Sequence, residues 1–340
     1  MFALLIAGLW GMGVAFAAAP AEDAALERFE FTQKQMGVPF RIVLYAPGER
    51  VANHAADAAF ARIKQLNGIL SDYEPESELM QLCKTAGQGR PVEVGDDLWF
   101  VLVRSQEMSR ASAGAFDVTV GPVVKLWRQA RRKKLLPPPA DLARATALVG
   151  YQKIRLDAES HKVELLKAGM QLDLGGIAKG YAADQTLSTL RKLGVTRALV
   201  AGSGDISVGD PPPGKQGWRI GIAPLTAPDD PPTRFVSLKN AAVATSGDAW
   251  QYVEIDGQRY SHIVDPHTGV GLTNRSSVTI IAPDGTTADS LATAVSVLGP
   301  ERGLKLVAGT PGTAAFIIRQ IDGKTAAIES GNFKEFVEAK

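Results

Sequence analysis

The residues best suited to chemistry fall in six short segments. Tyr260-Ser261-His262-Ile263-Val264-Asp265-Pro266-His267-Thr268-Gly269 holds two of the four histidines, five residues apart around an aspartate. Imidazole titrates near neutrality, so His262 with a carboxylate nearby suits general acid–base work. As a metal site the segment reads His-x-x-Asp-x-His, which matches no strong ligand pattern. Ser261 and His262 do not suit a nucleophile pair, because adjacent strand residues point to opposite faces. The plainer reading is a polar strand end closed by a Pro-Gly turn.

Thr286-Thr287-Ala288-Asp289-Ser290-Leu291-Ala292-Thr293 places Asp289 and Thr293 four residues apart, on one face of a helix. A carboxylate and a hydroxyl are hard oxygen donors, suited to Mg²⁺ together with waters and a substrate phosphate. Equally, an Asp in a first helical turn meets the helix dipole, and a mid-helix Thr is often core. Asp173-Leu174-Gly175-Gly176-Ile177-Ala178-Lys179-Gly180-Tyr181 reads as strand, glycine turn and helix start. Such a turn lets backbone N–H groups approach an anion, with Lys179 beside it; it is also an ordinary tight turn. It is not a Walker loop, since no Ser or Thr follows Gly-Lys at the required spacing.

Gly202-Ser203-Gly204-Asp205 follows a strand, but prolines stand where a dinucleotide-binding helix would begin, so it reads as a close-approach turn. Ser71-Asp72-Tyr73-Glu74-Pro75-Glu76-Ser77-Glu78-Leu79 and Gly114-Ala115-Phe116-Asp117-Val118-Thr119-Val120-Gly121-Pro122 are loops with aromatics. Their rings either stack on a planar ligand or plug the edge of a core.

These segments need elements to position them. Residues 29–46 alternate apolar and polar on both sides of Gly37, which predicts two strands. Residues 49–70 put Val51, Ala55, Ala59, Ile63, Leu66 and Leu70 on one stripe, an amphipathic helix. A second helix is expected from Asp96 to Ser112, and a hairpin over 153–166 turning near Ala158-Glu159. Residues 170–194 read as short strand, turn and helix, followed by a strand over 197–201. Prolines keep 210–217 out of helix and sheet. Asp256-Gly257 and Asp322-Gly323 signal hairpins, and helices are expected over 287–298 and 300–308. Interleaved strands and helices imply a mixed α/β or α+β body without a clean domain boundary.

Composition narrows the function. The 340 residues carry 37 Lys+Arg against 36 Asp+Glu, which argues against a nucleic-acid binder. One cysteine excludes an internal disulfide framework, a Cys-cluster zinc site and an iron–sulfur cluster held by this chain alone. Any redox chemistry then needs an organic cofactor. Cys83 reads as a small buried hydrophobe. Residues 2–18 form an apolar run too short for a comfortable membrane span, and Ala15-Phe16-Ala17 fits a cleavage rule. We therefore expect a signal peptide over 1–19 and one integrated domain over 20–340. No Cys follows the run to carry a lipid anchor, so the expected product is exported, soluble and periplasmic, with no stable membrane insertion after cleavage.

Taken in order along the chain, the segments resemble the ApbE family, the FAD:protein FMN transferases. The resemblance rests on Met36-Gly37, Ser71-x-Tyr73-x-x-x-Ser77-Glu78-Leu79, the 114–122 and 173–181 segments, Thr245-Ser246-Gly247, His262-Ile263-Val264-Asp265-Pro266-x-Thr268-Gly269 and Ala288-Asp289-x-Leu291-Ala292-Thr293-Ala294. It implies an ApbE-like fold with a central FAD cleft and Mg²⁺-dependent transfer of FMN from FAD to a Ser or Thr hydroxyl of a target flavoprotein, with release of AMP. It implies that Asp289, Thr293 and the carbonyl of Ala178 hold the metal. His262 is then the general base, and Asp265 orients it or its loop. Met36, Tyr73, Ala115, Phe116, Asp117, Asp173, Lys179, His262 and Ile263 are implied to line the FAD site. The implied partner is an exported or membrane-anchored flavoprotein. Two other readings share these residues: an FAD pyrophosphatase giving FMN and AMP, and a non-catalytic flavin-binding or delivery protein.

Overall fold

The computed structural model describes residues 26–225, 231–232, 234–247, 251–321 and 324–338. The expected leader over 1–19 and the Asp322-Gly323 turn lie outside them. β1 (Glu27–Gln35) and β2 (Val38–Ala46) are followed by α1 (Glu49–Leu70), α2 (Glu78–Lys84), the short β3 (Val92–Glu93) and α3 (Asp96–Ala111). Then come α4 (Gly121–Lys133), α5 (Pro139–Thr146), β4 (Ile154–Asp157), β5 (Lys162–Leu165) and α6 (Ala178–Lys192). β6 (Ala198–Gly202), β7 (Asp205–Val208), β8 (Trp218–Ile222), β9 (Arg234–Leu238) and β10 (Ala241–Gly247) follow. The chain continues through β11 (Tyr252–Ile255), β12 (Gln258–Ser261), β13 (Ser276–Ala282), α7 (Gly285–Ala308), β14 (Ala314–Ile321) and β15 (Lys324–Glu329). The fold is α+β.

Eight strands form one sheet in the order β1-β2-β6-β7-β10-β13-β14-β15. Every neighbouring pair in it is antiparallel. Both faces are covered, and side-chain alternation sorts the residues between them. In β2, Phe40, Ile42 and Leu44 enter the main core beneath the helices, while Val43 enters a second core. In β10, Ala242 and Ala244 face the helices and Val243 faces away. The β8–β9 hairpin caps that second face through Trp218, Ile220, Val236 and Leu238. A third, smaller core joins α4, α5 and the β11–β12 hairpin through Val123, Trp127, Ala130, Ala145, Val253, Ile255 and Val264.

The β1–β2 turn takes positive φ at Met36 (48°) and Gly37 (78°), as a two-residue I′ turn requires. α1 occupies the expected 49–70, and α3 ends one residue short of the expected limit. The two helices expected over 287–308 form one element kinked at Gly299 (φ 74°), just before Pro300. One expectation fails. Residues 170–174 join no sheet. The Leu172 N–H donates to Cys83 Sγ at 3.3 Å and the Asp173 N–H to the Val118 carbonyl at 2.8 Å, so their donors are used outside any ladder. α4 was not expected. Its basis is Pro122 in the first turn, basic residues in the last, and an apolar stripe of Val123, Trp127 and Ala130.

Candidate active site

One end of the large sheet collects several of the segments singled out above. Phe40 pairs with Gly202, Ala244 with Asp205 and Gly247 with Ser277. The Met36-Gly37 turn, the Ser203-Gly204 turn and the exit of β10 therefore share that end. α7 runs toward it, from Gly285 beside Ser207 to Thr293. Asp184 of α6 fixes the start of α7 by accepting from the Gly285 N–H (2.7 Å), the Thr286 N–H (2.9 Å) and the Thr286 hydroxyl (2.8 Å).

Two glycines dock α6 and the turn before it onto α7. A Cβ at Gly180 would lie 2.0 Å from the Gly285 carbonyl oxygen, and one at Gly176 would lie 2.8 Å from Thr293 Oγ1. At Gly180 the clash is with backbone, so only glycine allows that approach. The Gly180 N–H donates to Asp289 Oδ2 at 3.1 Å. The Lys179 ammonium sits 2.7 Å from Asp205 Oδ2 and 3.8 Å from Asp289 Oδ2. Asp289 is 2% exposed. Burial, and next the Asp205 charge, push its carboxyl up to about 7 against the opposing pull of Lys179 and the Gly180 N–H. Burial pulls the Lys179 pKa down, but Asp205 and Asp289 more than offset it and raise it.

This is a donor set suited to a hard divalent cation. Ala178 lies between the two glycines that abut Thr293 and Asp289, so a carboxylate, a hydroxyl and a backbone carbonyl come from adjoining turns. Among the described residues, no three His, Cys, Asp or Glu side chains group to hold an ion. A site with a single carboxylate leaves coordination positions for water and phosphate oxygens, as Mg²⁺ prefers.

His262 follows β12 in the insertion between β10 and β13, which leaves and rejoins the large sheet at that end. Its N–H donates to the Gln251 carbonyl (3.0 Å), and its Nδ1 lies 3.1 Å from that same oxygen. A carbonyl can only accept, so this contact favours the proton on Nδ1, the tautomer in which Nε2 carries the basic lone pair. Asp265 is engaged in its own turn: Oδ1 accepts from the His267 N–H (2.9 Å) and its carbonyl from the Gly269 N–H (2.8 Å). Of the two roles considered for Asp265, these contacts serve the loop. Ile263 is buried, with its N–H donated to Ser261 Oγ.

The aromatic loops differ. Tyr73 is 71% exposed, with the Arg128 guanidinium 4.2 Å from its ring centroid. Asp173 accepts from Arg128 (2.7 Å) and from the Gly175 N–H (2.8 Å). Phe116 belongs to the main core and Ala115 is buried. The Asp117 carboxylate is taken up by the Thr119 N–H, the Thr119 hydroxyl and the Tyr151 N–H. What Ala115, Phe116 and Asp117 can offer a ligand is therefore backbone. Met36 is half-buried at the edge of the main core. Sequence reasoning passed over Asp205, Gln251 and Arg128. Asp205 stood in a motif read only as a turn, and the other two stand in none.

Fold and site together define an α+β protein in which an oxygen-donor cluster and an imidazole share one sheet end. The chain belongs to the ApbE family, whose model matches residues 36–317. It is 32% identical to an FAD:protein FMN transferase of Haemophilus influenzae, over 99% of each chain. It is 34% identical to one of Treponema pallidum, over 87% of this chain and 85% of that one. Among solved structures, the flavin transferase ApbE of Vibrio cholerae superimposes with a TM-score of 0.83 at 28% identity, covering 92% of this chain and 99% of that one. The ApbE protein of Thermotoga maritima gives 0.82 at 31% identity, covering 92% and 100%.

Proposed function

We propose that this chain is an FAD:protein FMN transferase. The observation that carries the reading is the Asp289–Lys179–Asp205 cluster beside Thr293, at the same sheet end as an imidazole whose Nδ1 faces a carbonyl. A hydroxyl oxygen of a Ser or Thr on the target flavoprotein attacks the FMN phosphorus of FAD. The phosphorus–oxygen bond to the AMP half breaks, and AMP leaves. His262 Nε2 takes the hydroxyl proton. Lys179 offers a fixed positive charge close to the pyrophosphate. Asp289, Thr293 and the Ala178 carbonyl would hold Mg²⁺, which when bound supplies charge neutralisation for the displaced phosphate oxygens. In this reading Tyr73, Asp173 and Met36 border the flavin half.

Residues 20–340 are read as one integrated unit, because the site draws on helices, the large sheet and the β11–β12 hairpin together. With the leader expected over 1–19, this unit acts outside the cytoplasm, in the periplasm, on an exported or membrane-anchored acceptor. Among the described residues, no helix is long and apolar enough to cross a membrane.

The test mixes purified protein, FAD, Mg²⁺ and a flavoprotein acceptor domain, and reads the acceptor by mass spectrometry. A gain equal to one phosphoester-linked FMN, with AMP formed in equal amount, is expected. No gain on any of several acceptors despite bound FAD would sink the reading, and rapid formation of free FMN and AMP without acceptor would make the protein a hydrolase. His262→Ala is expected to abolish transfer while sparing FAD binding.

A further inference from the structure

Arg128 joins three groups that belong to two separate segments. Its Nη1 pairs with Asp72 Oδ2, its Nη2 with Asp173 Oδ2 at 2.7 Å, and its guanidinium carbon lies 4.2 Å from the Tyr73 ring centroid. The three charged side chains are largely buried, 23%, 19% and 9% exposed for Arg128, Asp72 and Asp173. Tyr73, by contrast, keeps 71% of its surface open. The loop carrying it is shaped locally as well: Ser71 Oγ accepts from the Tyr73 and Glu74 N–H groups.

The base of this arrangement is rigid. Trp127, the neighbour of Arg128, is buried and donates from Nε1 to the Gly269 carbonyl at 2.8 Å. The start of α4 presses on residue 171, where a Cβ at Gly121 would lie 2.5 Å from the Gln171 carbonyl oxygen. Successive residues on a helix point about 100° apart. Trp127 thus ties α4 to the His262 loop while Arg128 ties it to the Asp72 loop and the Asp173 turn.

We propose that Arg128 is the positioning residue for the flavin ring: it covers one face of Tyr73 and leaves the other for a planar ligand. It also neutralises the Asp72–Asp173 pair, which would otherwise face an anionic ligand uncompensated. A planar guanidinium fork can stack on a ring and bridge two carboxylates at once. An ammonium can keep the charge but cannot match both geometries. The proposal rests on the FAD reading above, since it names what sets the flavin half of that site.

The test measures FAD affinity by equilibrium titration and the emission lifetime of the bound flavin, in the full chain. A phenol ring stacked on the flavin shortens that lifetime. Arg128→Gln is expected to weaken FAD binding by roughly tenfold or more and to lengthen the lifetime. Arg128→Lys is expected to recover part of the affinity, because the charge returns, while the lifetime stays long. If Arg128 acts through Tyr73, Tyr73→Ala and the Tyr73→Ala/Arg128→Lys double variant bind FAD with closely similar constants. Unchanged affinity and lifetime in both Arg128 variants overturns the proposal, as does full additivity with Tyr73→Ala. Should Arg128→Gln fail to fold, Arg128→Lys and the Tyr73 cycle decide the matter. A wild-type protein that binds no FAD overturns the functional reading instead.

Discussion

Gly180 and Asp289 touch through the backbone of one and the side chain of the other: the Gly180 N–H donates to Asp289 Oδ2 at 3.1 Å, and a Cβ on Gly180 would fall 2.8 Å from the Asp289 Cβ. α6 meets α7 at the one carboxylate expected to hold a metal. The closeness of the helices and the burial of that carboxylate are the same fact.

Gly180→Ala tests the contact. On an open helix face the change would stabilise by about 1 kcal/mol. Here the added carbon meets the Gly285 carbonyl oxygen at 2.0 Å, so backbone must move. A loss of about 3 kcal/mol or more is expected, read as a lowered thermal midpoint. Gly176→Ala meets only the Thr293 side chain, at 2.8 Å. It is expected to fold while losing most of any Mg²⁺-dependent rise in midpoint.

Asp289 sets a pH dependence. Its carboxyl is raised from 3.8 to about 7 by burial and by Asp205. A carboxyl raised above its unfolded value penalises the folded state once ionised. The penalty is absent below about pH 4 and complete above about pH 7. The metal-free protein is therefore expected to lose stability across that window, and Asp289→Asn to lose less. Mg²⁺ needs the ionised form, so its stabilising effect should grow up to about pH 7 and vanish in Asp289→Asn. Thermal midpoints against pH, with EDTA and with Mg²⁺, check both signs.

Asp117 has its carboxylate filled by three donors from Thr119 and Tyr151. Asp117→Ala leaves those donors unsatisfied in the interior, at a cost of about 2–4 kcal/mol. Its main effect is expected on the thermal midpoint, with FAD affinity little changed at temperatures where the variant is folded. An unchanged midpoint with lost FAD binding would make Asp117 a ligand contact.

Cys83 is the one cysteine, and burial pushes its thiol up to about 11. The thiolate is the reactive form. Dithionitrobenzoate at pH 8 is expected to leave the native protein unlabelled and to release one equivalent after unfolding in guanidinium chloride.

Local pattern made much of this molecule legible. The helical stripe of 49–70 and the Met36-Gly37 and Asp256-Gly257 turns depend on neighbours a few residues away, and the structure forms them where expected. The strand expected over 170–174 did not form; Cys83 and Val118, distant in sequence, took the Leu172 and Asp173 N–H groups. α4 escaped notice among loop motifs, although its apolar stripe was there to be read.

By itself the sequence determined which residue types stand in which order, and that order resembles one family. Asp289 with Thr293 on one helix face and His262 at a strand end follow from periods of 3.6 and 2. Only the tertiary structure decided that Lys179 answers to Asp205, that the Gln251 carbonyl faces His262, and that Arg128 joins Asp72 to Asp173. Each of those pairings spans 11 to 56 residues of chain. They form because sheet order and helix packing bring the segments together, and no local period encodes that.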